Sequence, residues 1–302
     1  MSVPILSGRS IVKSFAARGL FSSRDPKRAV DGVDVDVNEG ETLAIVGESG
    51  SGKSTLARIL LGLTLPTSGA INYYGRPVDA FTRQDWANFR KAVQPVFQDP
   101  ASSLNPRMRV DTTLSNVLLR HKLATRDTLD EKIGDLLNAV GLDATQFHDR
   151  YPHQLSGGQQ QRVAIARAIA VQPKLIVADE PLSSLDMSVQ AQILNLLVSL
   201  KASRNLSLVI ISHDLNVVDA IADRVIVMYL GKVVDAGLTK DVLRNPSNDY
   251  TRSLLAAKLV ADPHIARERR LAAEKAAAAE AGNGLSSSSS GMPKPDLQGV
   301  TQ

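Results

Sequence analysis

The chain has 302 residues, 43% of them hydrophobic and only 4% aromatic, so Val, Ile, Leu and Ala supply enough apolar material for a sizeable buried core. It contains no cysteine, which excludes disulfides, thiolate metal sites and a cysteine nucleophile together. The formal net charge of +4 comes from lysines and arginines scattered along the chain; the tight run Arg267, Arg269, Arg270 alternates with Glu268 as on a solvated helix, and no nucleic-acid partner is expected.

In chain order, the N-terminus lacks a long apolar run, and no later stretch approaches the roughly 18 apolar residues of a membrane span. The expectation is an intracellular protein whose membrane association goes through a partner. Val30-Asp-Gly-Val-Asp-Val-Asp-Val37 alternates with period two and predicts a half-buried strand; the apolar run Thr42–Val46 predicts a buried strand ending at Gly47. Leu56, Leu60 and Leu63 then recur at helical spacing until Pro66 and Gly69. From about 99 to 152 the apolar positions keep helical spacing, as in Leu129, Ile133, Leu136, Leu137 and Val140 before Gly141, predicting a helical insert. Beyond it come a helix Gln159–Ala170, a strand Leu175–Ala178, a helix Ser188–Leu200, a strand Leu208–Ser212, a helix from Asp214 and strands over Val225–Val234. Strands alternating with helices predict right-handed crossovers and a mainly parallel sheet. Residues after about 282 are rich in Ser, Gly and Pro and read as disordered.

Three segments carry chemistry. Gly47-Glu-Ser-Gly-Ser-Gly-Lys-Ser54 matches the phosphate-binding loop pattern and stands between a predicted buried strand and a predicted helix. Its glycines let backbone N–H groups turn towards phosphates, Lys53 reaches the outer phosphates, and the Ser54 hydroxyl can ligate Mg²⁺. Leu175-Ile-Val-Ala-Asp179-Glu180 puts two acids at the end of a hydrophobic strand: Asp179 suits the Mg²⁺ shell and Glu180 the attacking water, whereas alone such a pair is usually a solvated strand end. Leu155-Ser-Gly-Gly-Gln-Gln-Gln-Arg162 presents a hydroxyl and free N–H groups at a second helix start, although such a triplet is more often a simple turn and cap.

Together, the phosphate loop, Leu155–Arg162 and Asp179-Glu180-Pro181 resemble the nucleotide-binding subunits of ABC transporters over about residues 5–257. The resemblance implies an α/β fold: a P-loop NTPase (RecA-like) core with an antiparallel β subdomain and a helical subdomain inserted at about 99–165, within a domain of residues 1–257. A short C-terminal extension would follow, helical over 258–281 and disordered over 282–302. It implies ATP hydrolysis with ATP and Mg²⁺ as ligands. Phe15 would stack on adenine, with Phe21 the second candidate, and Gly47, Ser49, Gly50, Ser51, Gly52, Lys53, Ser54 and Thr55 would hold phosphate. Ser54, Gln98 and Asp179 would organise the metal, while Glu180, His213, Lys53 and Gln98 carry catalysis. In that family two subunits meet head to tail, so Ser156, Gly157, Gly158, Gln159 and Asp186, in Ser184-Leu-Asp, would serve the nucleotide of the opposing subunit.

Phe97-Gln-Asp-Pro-Ala-Ser-Ser-Leu-Asn-Pro-Arg107, Val227-Met-Tyr-Leu-Gly-Lys-Val-Val-Asp235, Asn245-Pro and Tyr250-Thr-Arg-Ser-Leu-Leu resemble the peptide and nickel importers within that family. The implied partners are a second, paralogous ATPase subunit in a heterodimer, two transmembrane permease subunits and an extracytoplasmic solute-binding protein. The implied location is peripheral, on the cytoplasmic face of the inner membrane. The solute is read by other subunits. The alternative, a nucleotide-gated switch acting on nucleic acid or ribosomes, usually needs two cassettes in one chain or a coiled-coil arm, and neither is visible here.

Overall fold

The computed structural model describes residues 3–15, 27–183 and 185–261, of which 258–261 by backbone alone. The candidate Phe21, Ser184, the run Arg267–Arg270, the part beyond 261 of the helix expected over 258–281 and the expected tail from 282 to 302 lie outside the described residues.

β1 (Leu6–Phe15) and β2 (Lys27–Val37) pair antiparallel, Leu6 opposite Val37. Along β2, Val33, Val35 and Val37 are buried while Asp34 and Asp36 point outward, the alternation that a strand with one wet face requires. β3 (Thr42–Val46) is buried at every position, as befits a strand covered on both faces. α1 (Lys53–Leu60) follows and ends earlier than its leucine spacing predicts. Gly62 turns the chain at φ +64°, and the N–H groups of Gly62 and Leu63 bond back to Ile59 and Arg58. Leu63 is therefore 57% exposed and outside the helix.

β4 (Ser68–Tyr73) and β5 (Arg76–Pro77) complete the first sheet in the order β2-β1-β4-β5. α2 (Arg83–Ala92), opened by a reciprocal cap between Thr82 and Asp85, leads to β6 (Val93–Val96). The expected insert is helical, with α3 (Pro100–Ser103), α4 (Val110–Arg120), α5 (Leu129–Ala139) and α6 (Ala144–Phe147), and the helix expected beyond it is α7 (Gly157–Ile169). The rest of the chain supplies β7 (Leu175–Asp179), α8 (Met187–Arg204), β8 (Ser207–Ile211), α9 (Leu215–Ile221), β9 (Arg224–Tyr229), β10 (Lys232–Leu238), α10 (Thr239–Arg244) and α11 (Asp249–Ala261). α8 runs past its predicted end at Leu200 and stops where Asn205 turns left-handed at φ +49°. The predicted stretch Val225–Val234 is a hairpin, broken at Leu230 and Gly231, which both have positive φ.

The second sheet has six strands in the order β10-β9-β3-β8-β7-β6, parallel from β9 to β6 with β10 antiparallel at one edge. Alternate residues of its strands feed two cores. Ile176, Ala178, Leu208 and Ile210 pack with the helical segment, while Val177, Val209 and Ile211 pack with α1 and the antiparallel sheet. The carboxyl ends of β3, β6, β7 and β8 converge at one rim, where a parallel α/β sheet opens its crevice. Among the described residues no helix is long and apolar enough to cross a membrane.

Candidate functional site

The loop after β3 uses its glycines for different reasons. A Cβ at Gly47 would lie 2.2 Å from the Met228 carbonyl oxygen, and one at Gly52 would lie 2.1 Å from that of Ala29, so close backbone approach demands both. Gly50, at φ +82°, would meet nothing within 4 Å, because it borders open space. Gly52 is also the N-cap of α1, at φ +105° and with no side-chain cap, so the first N–H groups of that helix stay available to an anion. A cleft of about 440 Å³ lies over this loop, lined by Lys27, Ala29, Ser49, Gly50, Gly52, Lys53, Ser54, Thr55, Gln98 and Glu180.

Lys53 is buried, and its ammonium donates to the carbonyls of Gly47 at 2.7 Å and Glu48 at 2.8 Å. Burial lowers its pKa from the usual lysine value, opposed by the charges of Glu180, Asp179 and Glu48. At the end of β7 the Asp179 carboxylate accepts from the Ser54 hydroxyl at 3.0 Å, and burial raises its pKa. A hydroxyl and a carboxylate oxygen this close form a hard-oxygen pair of the kind Mg²⁺ takes beside a phosphate loop. The residues present therefore fit a magnesium nucleotide.

Glu180 follows at φ +46°, a left-handed conformation that costs a non-glycine residue energy, and it lines the cleft. Its Oε2 accepts from Gln98 Nε2 at 3.2 Å and lies 3.6 Å from His213 Nδ1. Gln98 comes from the end of β6 and His213 from the end of β8, so strands distant in sequence deliver three polar groups to one point. Gln98 was expected among metal ligands as well; here its amide is engaged with Glu180.

The other expected site residues fall elsewhere. Ser156 caps α7: its hydroxyl accepts the Gln159 N–H at 3.3 Å, and Gln159 Oε1 accepts the Ser156 N–H at 2.9 Å. Gly158 is a packing glycine towards α8, where a Cβ would fall 2.4 Å from Val189, whereas Gly157 is exposed and a Cβ there would meet only the Leu185 side chain, at 3.4 Å. Asp186 caps α8 and takes the N–H groups of Ser188 and Val189, which hold its carboxylate below the ordinary range. None of these residues lines the phosphate cleft. Gly47 and Ser51 are buried and do not line the cleft. Phe15 ends β1 opposite Lys27, a cleft residue, with its ring 51% exposed and the Lys13 ammonium 5.6 Å from its centroid. Lys27 and Ala29 were not anticipated: they belong to β2, far before the loop motif, and no local pattern marks them.

Residues 30–183 match the protein family described as ABC transporter. The chain is 44% identical to the dipeptide transport ATP-binding protein DppF of Haemophilus influenzae over 269 residues, covering 89% of this chain and 82% of the relative. It is 44% identical to the oligopeptide transport ATP-binding protein OppF of Salmonella typhimurium over 245 residues, covering 81% of this chain and 73% of the relative. Among solved structures, it resembles cbiO1 of Clostridium perfringens, part of the cbiONQ ABC transporter complex, with TM-score 0.71 and 28% identity over 89% of this chain and all of that one. It also resembles a dimeric ATP-binding cassette in a post-hydrolysis state bound to ADP and Pi, with TM-score 0.67 and 29% identity over 78% of this chain and 98% of that one.

Proposed function

The chain belongs to the ABC transporter family of ATP-hydrolysing cassettes, and on that premise we propose that it energises the import of a peptide or related small solute through separate membrane subunits. The observation that carries the hydrolytic part is the convergence of Gln98 and His213 on the Glu180 carboxylate, beside a phosphate loop whose Ser54 is hydrogen-bonded to Asp179. The peptide part rests on 44% identity with dipeptide and oligopeptide transport subunits along most of both chains.

In the proposed mechanism the N–H groups of Gly50 and of Gly52–Thr55 and the Lys53 ammonium hold the outer phosphates of ATP, and Phe15 offers a face to adenine. Ser54 and Asp179 would hold Mg²⁺, with Gln98 as a further ligand; that ion would neutralise charge on the phosphate oxygens. Glu180 takes the proton of the attacking water, its side chain oriented by Gln98. His213 donates a hydrogen bond to the γ-phosphate as charge develops there. Ser156, Gly157, Gly158, Gln159 and Asp186 act on the nucleotide of an opposing subunit, a paralogue in a heterodimer. Closure of that pair drives two transmembrane permeases, to which an extracytoplasmic binding protein delivers solute. The chain then sits peripherally on the cytoplasmic face of the inner membrane.

Affinity capture of the full chain from solubilised membranes, with mass spectrometry and an ATPase assay, tests this reading. Two multispanning proteins and a second cassette should be recovered. Glu180→Gln should lower hydrolysis by about 10²–10⁴-fold while ATP binding persists. Recovery of ribosomal or nucleic-acid partners would defeat the transport reading, and unchanged hydrolysis would remove Glu180 from its role.

A further inference from the structure

The phosphate loop has an outer side that the hydrolytic chemistry does not use, and a segment about two hundred residues later closes on it. The Tyr250 hydroxyl accepts the Glu48 N–H at 3.1 Å. On the other side of the same residue, the Glu48 carbonyl accepts the Lys53 ammonium at 2.8 Å and the Ser51 N–H at 3.2 Å. Glu48 is thus gripped at its amide by Tyr250 and at its carbonyl by the lysine that faces phosphate.

Tyr250 is itself held firmly. Its ring packs against Tyr229 with centroids 4.2 Å apart and planes tilted by 33°. Its backbone N–H donates to Asn248 Oδ1 at 2.9 Å. The preceding turn is fastened to β10: the buried Asp235 carboxylate accepts from the Ser247 N–H and hydroxyl, each at 3.0 Å, and from the Asn248 N–H at 3.3 Å. The hairpin that carries Tyr229 adds a second hold, because Gly231 donates its N–H to the Ser51 carbonyl at 2.9 Å. A chain of contacts therefore runs from Asp235 through the Ser247–Asn248 turn and Tyr250 to the Glu48 peptide and Lys53.

We infer that Tyr250 is a positioning residue of the phosphate loop, which it holds in its nucleotide-binding shape from outside, anchored through Asp235. The inference rests on the nucleotide-binding reading of the loop. Tyr250 does not line the phosphate cleft; it acts through Glu48 and Lys53. Without the hydroxyl, the exposed Glu48 N–H turns to water and the peptide that receives Lys53 is free to rotate. Binding of ATP then has to restore the loop's shape, and affinity falls while the chemical step, once ATP is bound, does not.

The test is calorimetric titration of the full chain with Mg·ATP, alongside its ligand-free melting temperature and the kinetics of the assembled transporter. Tyr250→Phe keeps the ring against Tyr229 and removes only the hydroxyl. It should weaken ATP binding by about threefold to tenfold, the worth of one ordinary hydrogen bond. KM should rise by the same factor, kcat should hold, and the melting temperature should stay within about 2 °C of wild type. Asp235→Asn, which loosens the turn without touching the loop, should weaken binding in the same direction. The double variant should be no weaker than the worse single variant, because both act on one chain of contacts. Affinity within twofold of wild type in Tyr250→Phe, or a fall in kcat together with the melting temperature, overturns the inference; additive losses in the double variant overturn the anchoring through Asp235. Wild type and Lys53→Ala serve as controls: if wild-type chain does not bind ATP, the nucleotide reading itself has failed and the brace with it.

Discussion

α1 and α7 both begin in glycine-rich turns, and both were read in the sequence as possible anion sites, yet their first turns are finished in opposite ways. At α1 the N-cap is Gly52, left-handed and with no side chain to offer, so the helix's first donors remain unclaimed beside Lys53. At α7 the N-cap is Ser156, which exchanges hydrogen bonds with Gln159, and Gly158 is small because Val189 of α8 presses on it. The difference teaches that glycine at a helix start has two meanings. It frees donors where nothing else caps the helix, and it permits close packing where something does.

Gly52→Ala attacks the α1 side of this comparison and should have the largest effect. The new methyl is built 2.1 Å from the Ala29 carbonyl oxygen at φ +105°. Strain and overpacking should destabilise the chain by about 2–4 kcal/mol in denaturant titration, with ATP binding lost even under folded conditions. Ser156→Ala attacks the α7 side. Loss of the cap should cost about 1 kcal/mol of stability while ATP affinity of the isolated chain stays at the wild-type value. Hydrolysis by the assembled pair should nevertheless fall, and an affinity loss in the isolated chain would erase the distinction between the two helix starts.

The smallest effect on stability sharpens the α1 side through Asp179. Burial raises its pKa, so the folded state disfavours the ionised form. A carboxyl shifted in that direction contributes stability below its unfolded pKa, and that contribution is lost as pH rises through the folded value. At pH 7.5 Asp179→Asn should therefore raise the melting temperature of the nucleotide-free chain, and the gain should shrink as pH falls towards about 4. Magnesium-dependent binding of ATP should be lost in the same variant. A lower melting temperature at neutral pH would show that the Ser54–Asp179 hydrogen bond outweighs the burial of charge.

Legibility in the sequence followed how local each feature is. Thr42–Val46, Leu175–Ala178 and the helix around Ile133 and Leu137 announce themselves because burial and periodicity are written in consecutive residues. β4, β5 and α2 were not read from pattern. β5 has two residues, β4 has three exposed positions in six, and α2 buries Phe89 alone. The end of α1 was misjudged because Leu63 keeps helical spacing although Gly62 has already turned the backbone. Lys27 and Ala29 line the cleft without belonging to any motif: they come from β2, and the Ala29 carbonyl lies against Gly52 of the loop.

By itself, the sequence determined the pieces whose chemistry is local: a strand ending in a glycine-rich loop, a lysine and a serine at a helix start, and two acids after an apolar run. It also carried the resemblance to a family of ATPase cassettes. The tertiary structure decided which pieces meet. Gln98 and His213 reach Glu180 only because β7 lies between β6 and β8, and Tyr250 reaches Glu48 only because α11 starts beside the β9–β10 hairpin. Backbone propensity and hydrophobic period act over a few residues, whereas strand order is settled by the long-range pairing that buries both faces of the sheet, and that pairing has no local signature.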